Sequence, residues 1–399
     1  MEDHAMVSAR NTCNQSNDTR GTMLMLSHCV PDPCGDAARG RAWQLLRTAS
    51  TTHRVWLACI ADGPVRLEQW RALANITEGL QLRKPATLRR LASAPVARIN
   101  AELGQAYKLN TSMAQLIDAW RGGMHFDAVL STHPRLWRDA QRTRADMRLC
   151  DFNRPTSIQH QLVAGGSPIH RAWWHRRRSR RHRDLEMRVA STCDALIVGH
   201  QNYLRHVAAL GCPAVVMADS VDVGHFARQP QAFHVDEASP RLAFHLNWSG
   251  DNERWISEWF HRHVWPSVRQ AVPGAELART DGRTLDALRH ASVVVSPEPD
   301  PGRARWPVLQ AMAMERAVIA PQQAVGEMGV RHGEHLLLTR QERDWTEMCV
   351  ESLRSAKVRT QLSRGARAFV ERHCPIVSTG RDLIGMLGGQ SAESMLRAA

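Results

Sequence analysis

Lysine is nearly absent: Lys84, Lys108 and Lys357 are the three among 52 basic residues, and the other 49 are arginine. So strong a skew reflects the base composition of a genome more simply than 49 selected guanidinium contacts. The net charge of +13 therefore does not by itself define a nucleic-acid surface. No stretch approaches the roughly 18 uninterrupted apolar residues that a membrane span needs. Met1–Gly21 is polar and has no apolar core before a small-residue cleavage site, which excludes a secretory signal and predicts a cytoplasmic protein. Nine cysteines, an odd and scattered number, predict reduced thiols rather than a disulfide framework. Cys29 and Cys34 have His28 beside them but no second ligand pair at zinc spacing, and His261 and His263 point to different faces of a predicted helix. No metal and no cofactor are expected.

What remains is a globular balance, 43% hydrophobic and 23% charged, in a chain of 399 residues, long enough for two hydrophobic cores. Short apolar runs occur at Thr22–Leu26, Val55–Ile60, Leu80–Leu82, Ala128–Ser131, Met147–Cys150, Ala195–Val198 and Ala214–Met217. They alternate with helical patterns at Asp36–Ser50, Pro134–Thr143, Ile169–Ala190 and Gln201–Leu210. The same grammar returns with Leu242–Leu246, Glu276–Ala278, Ser292–Val295, Val318–Ala320 and Leu336–Leu338. Strands of this length alternating with helices predict parallel sheets covered on both faces. Val223–Pro240 is aperiodic and reads as a linker. The expected organisation is a disordered segment over 1–21, a first domain over 22–222, a second over 241–378, and a C-terminal helix and tail over 379–399. Residues 1–240 carry a net +10 and residues 241–399 a net +3, so the first half is the more suited to an anionic surface or ligand.

Gly35–Ala42 follows a strand and opens a helix, as a P-loop does, but Arg41 and Ala42 stand where lysine and Ser/Thr would perform nucleotide chemistry. A glycine turn at a helix N-terminus survives. It either binds an anion or is a tight turn capped by Asp36. Arg171–Arg183 holds seven arginines, two histidines, Trp173 and Trp174. Its charges surround the helix axis, which fits a solvated helix. An anionic membrane interface is the functional alternative, and nucleic acid is disfavoured without a recognised module. His133 follows the strand Ala128–Ser131 at the carboxyl end, where it could orient a hydroxyl, act as acid or base, or cap the next turn. Gln310 and Glu315 flank the apolar helix Val308–Met314 and Glu298 follows Val293–Val295, so each is a candidate to face a cleft between the domains.

Taken in order, several segments resemble the family 4 glycosyltransferases of the GT-B fold, and in particular sugar transferases associated with bacterial exopolysaccharide clusters. These are PDPCGDAARGRAWQLLRTASTTHRVWLACIAD (31–62), FDAVLSTH (126–133), LCDF (149–152), RRSRRHRDLEMRVASTCDALIVGHQNYLRH (177–206), ADSVDVGHF (218–226), WFHRHVWPSVRQAVPGAEL (259–277), ASVVVSP (291–297) and VLQAMAMERAVIAP (308–321). The resemblance covers about residues 22–375. It implies an α/β protein with two Rossmann-like, doubly wound domains facing a central cleft. Where the family carries two hallmark glutamates, this chain has Gly302 and Gln310, and Leu246 stands where a glycine lets a diphosphate approach. The stretch 277–292 is also shorter than the family pattern.

The resemblance further implies a retaining glycosyltransferase that moves a sugar from a nucleotide-sugar to a glycan or lipid-linked acceptor, in exopolysaccharide or glycolipid synthesis. Gly35 and Asp36 would line the acceptor side and His133 would orient the reacting groups. Arg254, Glu298, Arg303, Arg305 and Gln310 would serve the donor. The location would be cytoplasmic and peripheral on the inner face of the cell membrane, through Arg171–Arg183. The alternative from another class is a catalytically silent GT-B protein that binds a glycan, a lipid or a partner transferase.

Overall fold

The computed structural model describes residues 8–10, 19–61, 65–83, 113–118, 120, 123–165, 169–226, 240–246, 252–280 and 285–388. Most of the expected linker, 227–239, lies outside the described residues. By contacts the chain divides into two compact units. The first comprises Met1–Pro31, Leu45–Ala218 and Gly380–Ala399, the second Asp32–Gln44 and Asp219–Thr379.

The first unit is built on an eight-stranded sheet: β1 (Ser8–Arg10), β2 (Gly21–Ser27), β3 (His53–Ile60), β4 (Gly79–Arg83), β5 (Phe126–Ser131), β6 (Ala145–Asn153), β7 (Ala195–Val198) and β8 (Ala214–Val216). The spatial order is β1-β4-β3-β2-β5-β6-β7-β8. All pairings are parallel except β1 with β4, where Ser8 to Arg10 run antiparallel to Gln81 to Gly79. Residues 8–10 thus carry a strand inside the segment expected to be disordered. Counting from β2, the central six strands follow the 3-2-1-4-5-6 order of a dinucleotide-binding fold. Met23 to Ser27 of β2 are consecutively buried: Leu24 and Leu26 join the core with Ala58, Ile60 and Val129, while Met23 and Met25 bury the opposite face. A strand buried on both faces cannot alternate apolar and polar residues, so it appears in the sequence as a continuous apolar run.

The second unit holds β9 (Arg241–Phe244), β10 (Glu276–Arg279), β11 (Val293–Val295), β12 (Ala317–Pro321) and β13 (Leu337–Thr339), all parallel in the order β10-β9-β11-β12-β13. Its two faces bury separate cores. Ala243, Val294, Val318 and Ala320 face one side; Leu242, Phe244, Val293, Val295 and Ile319 face the other. That period-two division is what helices on both faces of a parallel sheet require.

Asp32–Gln44 belongs to the second unit although it follows β2 in the chain. The Trp43 indole donates to Asp222 at 3.1 Å, and Cys34 Sγ lies 3.3 Å from His225 Nε2. The segment 223–226 is held in turn by Arg367, whose guanidinium donates to the carbonyls of Phe226 at 2.9 Å and Val223 at 3.3 Å. Two of the helical stretches read from sequence are composite. Pro134–Leu136 and Gln201–Tyr203 are 3-10 turns that lead into short helices at Trp137–Arg142 and Leu204–Ala208.

Candidate functional site

Open parallel sheets bind ligands outside the carboxyl ends of their strands, at the point where strand order reverses. In the first unit that point lies between β2 and β5, and in the second between β9 and β11. Each carries a polar constellation.

At the first, β2 runs into His28 and β5 into Thr132 and His133. His28 Nδ1 lies 3.1 Å from Thr132 Oγ1, and the His28 and His133 ring centroids are 4.9 Å apart. His133 Nδ1 accepts from the backbone N–H of Arg135 at 3.1 Å, which caps the 3-10 turn. Burial, reinforced by the positive fields of His28, Arg135 and His182, holds its pKa well below the ordinary histidine value. The ring is therefore neutral at physiological pH, and with Nδ1 acting as acceptor its proton is on Nε2. His133 can thus donate a hydrogen bond through Nε2 to a hydroxyl or carbonyl, but it cannot take a proton there. Both roles weighed from sequence, orienter and cap, are compatible because they use different nitrogens.

At the second, β9 runs into His245, which is buried and pushed down to about 4 by desolvation, against the opposing effect of its bond to Gln310. Gln310 fixes the hydrogen-bond directions. Its Nε2 lies 3.1 Å from both the Pro33 and the Gly35 carbonyl oxygens and must donate to them. Its Oε1 therefore accepts from His245 Nε2 at 3.2 Å, and His245 Nδ1 accepts from the Thr280 hydroxyl at 2.9 Å. A neutral chain of donors runs from Thr280 through His245 and Gln310 to the glycine loop. The Trp306 indole also donates to the Gly35 carbonyl, at 2.9 Å. Its ring fills the space a Cβ on Gly40 would need, the nearest ring carbon being 1.9 Å from that position. Glycine at 40 is thus a packing requirement imposed by Trp306.

Gly35 and Asp36 belong to the second unit, where Trp306 and Gln310 both donate to the Gly35 carbonyl. Asp36 accepts from the Arg39 N–H at 3.0 Å and caps the helix Ala37–Ala49. Glu298 is fully buried beyond β11 and pairs with Arg303 at 3.0 Å. Desolvation raises its pKa, with Arg303 and the Asp300 N–H opposing the shift. Arg305, largely buried, pairs with Glu327 at 3.0 Å. Arg254 lies on the helix Asn252–His263, exposed and paired with Glu258 at 2.8 Å. Gly302 lies in the first turn of the helix Pro301–Ala313. Gln310 is 1% exposed, its amide engaged within the protein. Glu315 closes that helix with φ 58°, a left-handed position that glycine usually fills. Leu246 is buried in the core behind β9.

His28, His245, Thr280 and Trp306 carried no motif. The available signal was positional, since His28 and His245 each stand one residue beyond a strand at a reversal point. Elsewhere Ser157, Glu186 and His206 form a group that resembles a nucleophile with its base. Yet Ser157 Oγ donates to Glu186 at 2.5 Å, and serine and glutamate both address the same histidine nitrogen, at 3.2 and 3.3 Å. A catalytic histidine bridges the two through different nitrogens. Here the group joins the helices Thr156–Gly165 and Ile169–Ala190. Among the described residues no group of three or more His, Cys, Asp or Glu could hold a metal ion, and no helix is long and apolar enough to cross a membrane.

No family model matches the sequence, and no curated protein does. Solved structures match along almost its whole length. The chain is similar to a sucrose-phosphate synthase from Thermosynechococcus elongatus, with 13% identity, a TM-score of 0.57, and coverage of 95% of this chain and 100% of that one. It is similar to HepE of Anabaena in complex with UDP-glucose, with 11% identity, a TM-score of 0.57, and coverage of 93% and 100%. WaaG, a glycosyltransferase involved in lipopolysaccharide biosynthesis, matches at 8% identity and a TM-score of 0.56, with coverage of 92% and 100%. The fold is the two-sheet GT-B architecture.

Proposed function

We propose that this chain is a retaining glycosyltransferase that moves a sugar from a nucleotide-sugar to a glycan or lipid-linked acceptor in exopolysaccharide or glycolipid synthesis. The observation that supports this most is the polar constellation at the reversal point of each open sheet, in a fold shared with HepE, which was solved with UDP-glucose. The second unit serves the donor. Arg303 and Arg305 open the helix Pro301–Ala313 and Arg254 opens Asn252–His263, where backbone N–H groups and guanidinium donors favour phosphate oxygens. A guanidinium carries five donors, so engagement with Glu298 or Glu327 and contact with a phosphate are compatible. Gln310 acts through the loop it holds, which sets Gly35 and Asp36 beside the donor. His133 orients the reacting hydroxyl through Nε2–H, and the reaction needs no metal.

Asparagine separates the two duties of His133, because it is a strong cap but cannot present a donor where Nε2 lies. His133→Asn is expected to leave stability within about 0.5 kcal/mol and to lower sugar transfer to a membrane lipid extract roughly 10- to 100-fold, the loss of one productive hydrogen bond. Wild-type transfer by this variant would reduce His133 to a cap. The second reading, a silent GT-B protein, draws on the Gln310 amide, which is committed to the chain's own loop. Absence of transfer by the wild-type protein from every donor offered would favour it.

For the acceptor we propose an anionic membrane surface. The helices Thr156–Gly165 and Ile169–Ala190 expose Leu162, Ile169 and Trp173 at their adjoining ends, Ile169 at 90%. Arg178 stacks on Trp174 at 3.5 Å and Arg177 lies 5.7 Å from the Trp173 ring. Arginine and tryptophan together suit an anionic interface. Flotation with anionic vesicles should weaken as salt shortens the Debye length below about 8 Å, and should fall further when Arg176, Arg177 and Arg178 are all replaced by alanine. Equal flotation with neutral vesicles would contradict this.

A further inference from the structure

The function proposed above makes no use of the eight cysteines among the described residues, none of them in a disulfide, yet two of them are in contact. Cys193 Sγ and Cys212 Sγ lie 3.2 Å apart. Both precede strands of the first sheet. Cys193 stands two residues before β7, just after the helix Ile169–Ala190, and Cys212 two residues before β8. Their position is therefore at the amino ends of the strands, opposite the carboxyl ends where His28 and His133 lie. Neither sulfur touches the candidate site.

We propose that Cys193 and Cys212 are a reversible dithiol–disulfide pair, oxidised by low-molecular-weight disulfides. The sulfurs are already closer than two non-bonded sulfurs ordinarily sit, so only a small inward movement is needed to reach the bonded separation near 2.05 Å. The contact affects the two thiols oppositely: it lowers the Cys212 pKa, whereas Cys193 is raised by the same contact and by burial. The thiolate, the reactive form, is thus favoured on Cys212, with Cys193 as the resolving thiol. In the first step the Cys212 thiolate attacks one sulfur of a disulfide RSSR, forms a mixed disulfide and expels RS−. Cys193 then gives up its proton, its sulfur attacks the Cys212 sulfur, and the second RS− leaves. The protein loses two electrons and two protons, and RSSR becomes two RSH. Cys150, buried in β6, raises the Cys193 pKa electrostatically and is itself raised by Cys212, but burial holds it firmly as a thiol, so it does not compete.

The bond would close a loop containing β7 and the helix Leu204–Ala208 and constrain the unfolded chain. A loop of this size raises the midpoint of thermal unfolding by roughly 5–10 °C, reversibly with dithiothreitol. The test incubates the full-length protein with glutathione disulfide, quenches with acid, denatures, alkylates the remaining thiols and maps the peptides by mass. The expected result is one intramolecular cross-link, Cys193 to Cys212, with the other seven of the nine cysteines alkylated. Mass mapping of the wild type needs no variant to fold. As a second readout, Cys193→Ser should lose the oxidation-dependent rise in midpoint and retain glutathione on Cys212. Alkylation of both Cys193 and Cys212 after oxidation, or a cross-link that pairs either with Cys150, would overturn the proposal. Because transfer activity does not enter the test, its failure is independent of the glycosyltransferase reading.

Discussion

Arg303→Ala is expected to destabilise the protein by about 3 kcal/mol, the lower end of the cost of stripping one partner from a buried ion pair. Glu298 is fully buried, whereas the Arg303 side chain keeps an exposure of 16%, which is why the lower end applies. Alanine would leave a carboxylate with no counter-charge in a site where desolvation already raises its pKa. The pH dependence follows from that direction. An acid whose folded pKa lies above its unfolded value binds its proton more tightly when folded, so lowering the pH through the interval between the two stabilises the native state. In wild type Arg303 opposes the upward shift. Its removal should widen the interval, and the deficit of Arg303→Ala relative to wild type should shrink as the pH falls toward and below the ordinary carboxylate range. Glu298→Gln in the same chain should restore most of the loss at neutral pH. Denaturant midpoints of the single and double variants between pH 4.5 and 8 check this. A deficit that is independent of pH and not repaired by Glu298→Gln would mean that the loss does not come from stranding the Glu298 carboxylate.

Gln310→Glu should also destabilise, by about 2–4 kcal/mol, although it recreates the residue the resembling family carries there. The amide nitrogen donates to the Pro33 and Gly35 carbonyls, both at 3.1 Å. A carboxylate would supply no donor to either and would set its own lone pairs against theirs in a site 1% exposed. The His245 Nε2–H could still donate to it, so one contact of three survives. Protonation of the introduced carboxyl returns one O–H donor, and the penalty should therefore ease on acidification. Unfolding midpoints at pH 5 and pH 8 test this, as does proteolysis of the loop around Gly35, which should quicken in the variant. A variant as stable as wild type at pH 8 would remove Gln310 from the role assigned to it.

The parallel strands were legible because burial on both faces turns each into an apolar run, as in Val55–Ile60 and Ala195–Val198. Ser8–Arg10 was not legible, since an edge strand of three residues with no apolar pattern is defined by its partner β4 alone. The glycine loop marks the limit of local reading. Chain order attached Gly35 and Asp36 to the first domain, whereas hydrogen bonds from Trp306 and Gln310, 271 and 275 residues away, attach them to the second unit. His28 and His245 were missed for a related reason. Their importance comes from standing where strand order reverses, and strand order is a property of the assembled sheet that no window of sequence contains. Arg303 and Arg305 were visible as cations, but their carboxylate partners became evident only in three dimensions.

In the function proposed above, the second unit binds a nucleotide-sugar through arginine and backbone donors, without the two glutamates of the resembling family. Calorimetric titration of the full-length protein with a panel of uridine, guanosine, adenosine, cytidine and thymidine diphospho-sugars measures that binding. Saturable binding of at least one donor is expected, weakened roughly 10- to 100-fold by Arg305→Ala, since a charge-assisted hydrogen bond to phosphate contributes about 1.5–3 kcal/mol. No binding of any of them by the wild-type protein at millimolar concentration would contradict it.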